Sequence, residues 1–312
     1  MKYKLCLFVI VMMLGTAVRA QQIVLTPQWA AQSQFAGYYV AQEMGFYKEA
    51  GVDVVIEHAT TSEKAINRLL SGKSNAITMM LFDAMYQIEH GAEIVNVLQT
   101  SQRSGHVIVV RNDDLKKIED LRGKRVGVWK SNFNYLTQLM NLDLKLDIEW
   151  IQFIQSINLY LSGAIDATMA MSYNELYMIR SSGFEDKTVI SMADIGFDYP
   201  EEGVYVSRDY CKKYPDKVVA FVEASRRGWE WAHNHPEQAL DIVMKVMEQE
   251  YMPASRRHQE WMLREVLRLQ CPAGESKPSF TLSARKVKEL NDLLIRYGWI
   301  NKEISVDQIQ GR

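Results

Sequence analysis

The sequence predicts an α/β protein of two lobes, and three observations support this fold class. Short apolar segments typical of buried strands alternate with amphipathic segments typical of helices. The alternation is interrupted near residue 105 and again near residue 200, which divides the chain into two βα sets. The chain has 312 residues, a length that favours two lobes over one hydrophobic core.

The first set begins with a βαβ unit. A buried strand at 23–25 is followed by a polar loop, a helix at 35–44 that ends at Gly45, and a second strand at 52–57. Ligands of such units bind at the carboxyl ends of the strands. Aromatic and amide side chains in the loop and the helix start favour a flat, weakly polar ligand over a phosphate, which needs a glycine-rich turn and a basic residue. The candidate ligand residues here are Trp29, Gln34, Phe35 and Tyr38.

The first set continues with two more βα units. A short amphipathic helix ends at Gly72, a strand follows at 76–81, a helix at 84–90 and a strand at 94–100. Phe82 follows a strand directly and is therefore a further candidate for ligand binding. The regular alternation predicts a largely parallel sheet with helices on both faces.

The second set has the same organisation. Its helices are predicted at 131–144 and 157–163, and its strands at 107–111, 125–129, 148–153, 167–171 and 189–191. Two junctions between a strand and a helix carry side chains suited to a planar ligand. The candidates are Trp129 and Ser131 at the first junction, and Tyr173, Asn174 and Glu175 at the second.

The last third of the chain returns to the first lobe. A strand near Gly203 precedes helices at 218–233, after Pro236, at 256–271 and at 283–297. Trp229 and Trp261 lie on the apolar stripes of these helices, and we predict that they are packing residues.

The two interruptions define the predicted domains. Lobe 1 comprises residues 21–105 and 201–312, and lobe 2 comprises residues 106–200. Two crossover segments join the lobes as a two-strand hinge, so that the lobes can close over a ligand in the cleft between them.

The first twenty residues, MKYKLCLFVIVMMLGTAVRA, predict an export signal. Two lysines precede an apolar run from Leu5 to Leu14, and small residues precede a cleavage site before Gln21. The apolar run is too short for a permanent transmembrane helix. We therefore expect residues 1–20 to be a signal peptide and the mature chain to be exported and soluble.

Composition and motifs exclude several classes of function. Without residues 1–20 the chain keeps 33 basic and 38 acidic residues, a formal charge of −5 that gives no support for binding to nucleic acid. The sequence contains no serine elbow, HExxH, paired CxxC or P-loop. We therefore expect no catalytic site, no metal and no cofactor. Whether Cys211 and Cys271 form a disulfide stays open.

Four segments resemble the motifs of a known family. They are WAAQSQFAGYYVAQEMGFYKEAGVDVVIE, LLSGKSNAIT, LSGAIDATMAMSYNE and FVEASRRGWEWAHNHPEQALDIVM. They look like motifs of the periplasmic substrate-binding proteins of ABC importers that bind thiamine precursors of the pyrimidine class. That family is related to the nitrate, sulfonate and taurine binding proteins, and the resemblance extends from about residue 23 to residue 300.

The resemblance implies a type II periplasmic binding protein. Such a protein would capture a small heteroaromatic ligand, for example formylaminopyrimidine or hydroxymethylpyrimidine, and deliver it as a monomer to a membrane permease. The pocket motifs of the family fall on Trp29 and the helix start at 35–39 in lobe 1. In lobe 2 they fall on Trp129, Ser131, Tyr173, Asn174 and Glu175. Aromatic rings would stack on the pyrimidine, and Glu175 would accept hydrogen bonds from its amino group.

Three alternatives remain open at this point. A pyrimidine-precursor synthase of the same fold would consume its own histidine, but the cysteine-rich stretch expected of that enzyme is missing. A partner of a sensor kinase would use the same cleft and dock a kinase ectodomain instead of a permease. A binder of a sulfonate- or nitrate-like anion would share the fold, although Glu175 would repel such a ligand.

Overall fold

A computed structural model describes residues 22–60, 62–130, 135–154, 156–185 and 187–311. The predicted signal peptide and the candidate Ser131 lie outside the described residues. Within the described ranges, no helix is both long enough and apolar enough to cross a bilayer.

The strands form two five-stranded sheets, one in each lobe. They are β1 (Ile23–Thr26), β2 (Val54–Ile56), β3 (Ala76–Met80), β4 (Ile94–Gln99), β5 (His106–Val110), β6 (Arg125–Trp129), β7 (Glu149–Phe153), β8 (Ala167–Met171), β9 (Val189–Ser191) and β10 (Glu202–Ser207). The sheet of lobe 1 has the order β2-β1-β3-β10-β4, and the sheet of lobe 2 has the order β7-β6-β8-β5-β9.

In each sheet one strand runs against the other four. In lobe 1 this strand is β10, which pairs antiparallel with β3 and β4, whereas β1 pairs parallel with β2 and β3. In lobe 2 it is β5, which pairs antiparallel with β8 and β9. Both are the first strand after a crossover between the lobes. The predicted fold of two largely parallel sheets is therefore confirmed, while the domain boundaries at residues 105 and 200 stay a prediction.

Helices cover the sheets. They are α1 (Ala36–Glu43), α2 (Phe46–Glu49), α3 (Ala65–Leu70), α4 (Leu81–Glu89), α5 (Tyr135–Asp143), α6 (Asn158–Leu161), α7 (Glu175–Arg180), α8 (Arg208–Lys213), α9 (Pro215–Asn234), α10 (Pro236–Gln249), α11 (Arg256–Leu269), α12 (Ala284–Arg296) and α13 (Val306–Gln310). Gly45, with a φ of 75°, separates α1 from α2. Proline occupies the first position of α9 and of α10, where its missing N–H costs no helical hydrogen bond.

Helix α4 begins earlier than the sequence predicts, and helix α7 is not among the helices predicted for lobe 2. Helix α4 starts at Leu81, directly after the extended residue Met80, so Phe82 lies in its first turn and not in a loop. Glu175 is likewise the first residue of α7. No loop residue separates β3 from α4. Hydrophobic periodicity does not reveal such a junction, because a buried strand and a buried helical turn are equally apolar.

Helices α1 and α9 cross at two glycines. A Cβ atom added to Gly228 would lie 2.1 Å from the carbonyl oxygen of Gly37, and a Cβ atom added to Gly37 would lie 2.1 Å from the indole of Trp229. The absence of both side chains lets the helices approach closely. This contact fixes Trp229 beside the first turn of α1.

Candidate functional site

A small cavity lies at the junction of the two lobes. Its polar and aromatic lining comes from Gln34, Thr100, Ser101, Tyr173, Glu201, Glu202, Trp229 and Gln270. Met80 and two residues of helix α11 add apolar side chains. The cavity offers about 20 Å³ of space for solvent, which suffices for roughly one water molecule. An aromatic ring does not fit this space, so a ring-sized ligand requires the lobes to move apart.

Glu202, the first residue of β10, places a buried carboxyl group in the cavity. Gln28 Nε2 donates to its Oε1 at 2.7 Å, and Gln34 Nε2 donates to its Oε2 at 3.1 Å. Burial raises the pKa of Glu202 to about 7, and the nearby charge of Glu201 contributes to the rise. The carboxyl group therefore changes protonation near neutral pH. Glu202 is not among the candidates predicted from the sequence, although two acids at the start of a buried strand are a signal that could have identified it.

Trp229 and Tyr38 form an aromatic pair at the cavity. Their rings are edge to face, with centroids 5.5 Å apart and an interplanar angle of 80°. Burial raises the pKa of Tyr38 well above its ordinary value, and the charge of Glu202 adds to the rise. Trp229 is predicted from the sequence as a packing residue, and it both packs on Gly37 and lines the cavity. The apolar stripe of the helix predicts that the Trp229 ring is buried, but it does not predict that the ring borders a cavity.

Gln34 and Tyr173 are the two sequence-predicted candidates that line the cavity. Gln34 comes from the loop before α1 in lobe 1, and Tyr173 comes from the junction between β8 and α7 in lobe 2. Burial raises the pKa of Tyr173 well above its ordinary value, and the carboxyl groups of Glu202 and Glu201 contribute. The cavity lining thus contains one predicted residue from each lobe.

Four predicted candidates of lobe 1 lie outside the cavity lining, namely Tyr38, which packs against Trp229, and Trp29, Phe35 and Phe82. Phe35 is fully buried in the core and packs against His58. The carbonyl oxygen of Trp29 lies 2.6 Å from His58 Nδ1. The ring of Phe82 packs edge to face against His106 at a centroid distance of 6.4 Å. Phe82 therefore contributes to the contact between the lobes.

The remaining candidates of lobe 2 form one hydrogen-bonded group. Trp129 Nε1 and Asn174 Nδ2 donate to Glu175 Oε1 at 3.2 and 3.1 Å, and the backbone N–H of Met171 donates to Oε2 at 2.9 Å. Burial raises the pKa of Glu175. Glu175 thus accepts hydrogen bonds from its own lobe, and its role as a ligand acceptor stays a prediction.

Glu201 connects the two crossover segments of the hinge. Its carboxylate accepts hydrogen bonds from Ser104 Oγ at 2.6 Å and from the backbone N–H of Gly105 at 3.0 Å. His106 Nδ1 lies 2.5 Å from the same carboxylate. All three groups are buried. A single side chain therefore holds the chain segment that leaves lobe 1 against the segment that returns to it.

The described residues hold no cluster of three or more His, Cys, Asp or Glu side chains that could bind a metal ion. Cys211 and Cys271 are both free thiols.

Sequence comparisons relate the chain to binding proteins. The sequence model of a family described as NMT1/THI5 like matches residues 32–239. The riboflavin-binding protein RibY of Chloroflexus aurantiacus is 24% identical, over 82% of this chain and 74% of RibY. The formylaminopyrimidine-binding protein of Halalkalibacterium halodurans is 22% identical, over 88% of this chain and 85% of that protein.

A structural comparison identifies the fold. The alkanesulfonate-binding protein SsuA from Xanthomonas axonopodis pv. citri, bound to MOPS, superposes with a TM-score of 0.68 over 94% of this chain and 99% of SsuA. The two sequences are 14% identical, so the likeness concerns the fold alone. The predicted fold of a type II periplasmic binding protein is confirmed.

Proposed function

Because this chain belongs to the NMT1/THI5-like family, we propose that it is the solute-binding protein of an ABC importer, located in the periplasm. We further propose that its ligand is a small heteroaromatic molecule of the pyrimidine class, such as formylaminopyrimidine or hydroxymethylpyrimidine. Two relatives support this ligand class, because they are named as binding proteins for riboflavin and for formylaminopyrimidine.

The buried carboxyl group of Glu202 is the observation that carries this proposal. It lines the cavity between the lobes together with the amide of Gln34 and the rings of Trp229 and Tyr173. A carboxyl group surrounded by aromatic rings suits a planar ligand that carries an amino group or a ring N–H. The same arrangement disfavours a sulfonate or a nitrate, because none of the described lining residues is Lys or Arg and two of them are acidic.

The position of the cavity supports a mechanism of capture by closure. In the open protein the ligand would meet Gln34, Glu202 and Trp229, which belong to lobe 1. Closure would then bring Tyr173 of lobe 2 against it. A ligand that gains contacts only in the closed form shifts the equilibrium toward that form.

Two finer sequence predictions remain part of the proposal. Trp29 and Trp129 are proposed to stack on the ligand, and a carboxylate is proposed to accept hydrogen bonds from it. The geometry supports Glu202 over Glu175 for the second role, because Glu202 lines the cavity whereas Glu175 accepts hydrogen bonds from Trp129, Asn174 and Met171.

The proposed partner is a membrane permease, and a sensor-kinase ectodomain is the alternative partner for the same closed form. We propose binding without catalysis, so the ligand should leave the protein chemically unchanged. A pyrimidine-precursor synthase would instead release a new product.

Thermal unfolding with a panel of ligands tests the proposal. A ligand at about 100 times its Kd should add about 2.7 kcal/mol to the free energy of unfolding, which raises the Tm by several degrees. We expect this rise with hydroxymethylpyrimidine or formylaminopyrimidine and no rise with taurine or nitrate. Mass spectrometry of the released ligand should find it unaltered. A response to the anions alone, or a chemically changed ligand, would contradict the proposal.

A further inference from the structure

Two buried hydrogen-bond donors at the cavity have no partner. The indole Nε1 of Trp229 and the amide Nε2 of Gln270 have no hydrogen-bond acceptor within the described part of the chain. Both side chains line the cavity, and each is only 1% exposed. Buried donors in native proteins are nearly always satisfied, because an unsatisfied donor has lost its bonds to water without compensation. Two such donors at one cavity indicate an acceptor on the ligand.

The side chain of Gln270 is held by His233. Gln270 Oε1 lies 2.9 Å from His233 Nε2, and burial lowers the pKa of His233, so the ring is neutral at neutral pH. A neutral imidazole that donates from Nε2 engages the carbonyl oxygen of the amide. The NH2 group of Gln270 is then left on the side away from His233. The backbone of Gln270 is also held, because its carbonyl oxygen accepts a hydrogen bond from the N–H of Ser279 at 2.9 Å.

The orientation of Trp229 is determined by packing. Its ring lies directly on Gly37 and edge to face against Tyr38. The hydroxyl group of Tyr38 is also buried without a partner among the described residues. This packing holds the indole in place, and the hydroxyl group of Tyr38 lies near its N–H without forming a hydrogen bond to it.

The acceptor side of the cavity is Glu202. Each of its oxygens accepts one hydrogen bond from a glutamine amide, and a carboxylate oxygen can accept a second. The free space between these groups is only about 20 Å³. Trp229, Gln270 and Glu202 thus line the same small cavity.

We propose that Trp229 and Gln270 select ligands that carry a hydrogen-bond acceptor beside a hydrogen-bond donor. The acceptor receives hydrogen bonds from Trp229 Nε1 and Gln270 Nε2, and the donor binds Glu202. This inference rests on the proposed function, since it concerns the same cleft, and it adds a specific requirement. An aminopyrimidine meets it with a ring nitrogen next to the amino group, and a pyrimidinone meets it with a carbonyl group next to a ring N–H. An aniline, which lacks the acceptor, does not.

Isothermal titration with two matched probes tests the inference. The first probe is 4-amino-5-hydroxymethyl-2-methylpyrimidine. The second is 2-aminobenzyl alcohol, which keeps the amino and hydroxymethyl groups but has no ring nitrogen. We expect the native protein to bind the pyrimidine at least about 10-fold more tightly, because the benzene ring leaves both donors unsatisfied.

Two variants remove one donor each. Trp229→Phe keeps a ring on Gly37, and Gln270→Met keeps the length of the side chain. Each should weaken binding of the pyrimidine by about 10-fold while changing the affinity for 2-aminobenzyl alcohol much less, so the preference for the pyrimidine shrinks. Trp231→Phe is the matched control, since Trp231 lies on the same helix outside the cavity lining, and it should leave both affinities unchanged.

The outcomes separate this inference from the proposed function. If the native protein binds the pyrimidine and both variants keep its affinity and preference within about two-fold, the assigned donors are wrong and the binding function stands. If the native protein binds neither probe, the aminopyrimidine function and the donor assignment both fall. Circular dichroism identifies a variant that does not fold. If Trp229→Phe does not fold, the affinities of Gln270→Met alone test the donor assignment, because this substitution leaves the contact between α1 and α9 intact.

Discussion

At the scale of single residues, Glu202 links the ligand cavity to the stability of the protein. Its pKa is raised to about 7 in the folded protein from an ordinary value of 4.5. The folded state therefore holds a proton that the unfolded state has released between about pH 4.5 and pH 7. Because the folded state binds more protons in this window, the free energy of unfolding falls as the pH rises through it. The loss is complete above pH 7 and amounts to about 3 kcal/mol.

Glu202→Gln should remove this pH dependence, because the amide keeps the shape of the carboxyl group and does not titrate. We expect the free energy of unfolding of the native protein, relative to the variant, to fall by about 2.5 kcal/mol between pH 5 and pH 8. Urea denaturation at several pH values measures this difference. Glu248→Gln, at an exposed position on α10, should leave the pH dependence as it is. Parallel pH profiles for the native protein and Glu202→Gln would contradict the raised pKa.

At the scale of secondary-structure elements, helix α11 joins the two lobes. On its lobe 1 side, Gln259 Oε1 accepts a hydrogen bond from the backbone N–H of Ser33 at 2.8 Å. On its lobe 2 side, Trp261 Nε1 donates to the carbonyl oxygen of Ser172 at 2.8 Å, and His258 stacks on Tyr177. Trp261, predicted as a packing residue, therefore packs between the lobes, and α11 stabilises this arrangement of the two lobes.

Trp261→Phe should shift the protein toward the open form, because it removes the hydrogen bond to Ser172 and part of the apolar contact with lobe 2. We expect a larger radius of gyration in small-angle X-ray scattering of the ligand-free protein, and ligand dissociation about 5-fold faster. Trp150→Phe, a substitution on β7 within lobe 2, serves as the control. Unchanged scattering and an unchanged dissociation rate would show that α11 does not control closure.

At the scale of the whole molecule, the lobes are coupled through the hinge that Glu201 holds. Its carboxylate satisfies Ser104 Oγ and the N–H of Gly105, and it pairs with His106. These groups lie where the chain first crosses between the lobes, whereas Glu201 lies where the chain returns. The hinge thus contains one buried cluster of polar groups centred on the Glu201 carboxylate. Removal of this carboxylate therefore affects both crossover segments.

Glu201→Ala should lower the free energy of unfolding by about 3–5 kcal/mol, because three buried donors lose this acceptor at once. Urea denaturation followed by fluorescence and by circular dichroism measures the loss. The same measurement shows whether the two lobes still unfold in a single transition, as we expect for the native protein with its intact hinge. Glu303→Ala, at an exposed position, should change the free energy little. A Glu201→Ala variant as stable as the native protein would contradict the role assigned to the hinge.

The sequence by itself determined the fold and part of the cleft. Alternating apolar segments predict two βα sets because strand and helix periodicity are local properties of the chain. The carboxyl ends of predicted strands led to Gln34 and Tyr173, since strand ends of α/β sheets meet at one edge. Both residues line the cavity between the lobes.

Only the tertiary structure decided which buried polar groups face that cavity. Glu175 and Glu202 both adjoin apolar strands in the sequence, yet packing directs Glu175 to Trp129 and Glu202 to the cleft. Trp229 and Gln270 come from helical segments far from the strand ends and reach the cavity through the crossing of α9 with α1 and the position of α11. A periodic pattern shows that a side chain is buried, whereas the partner of a buried polar atom depends on segments distant in the chain.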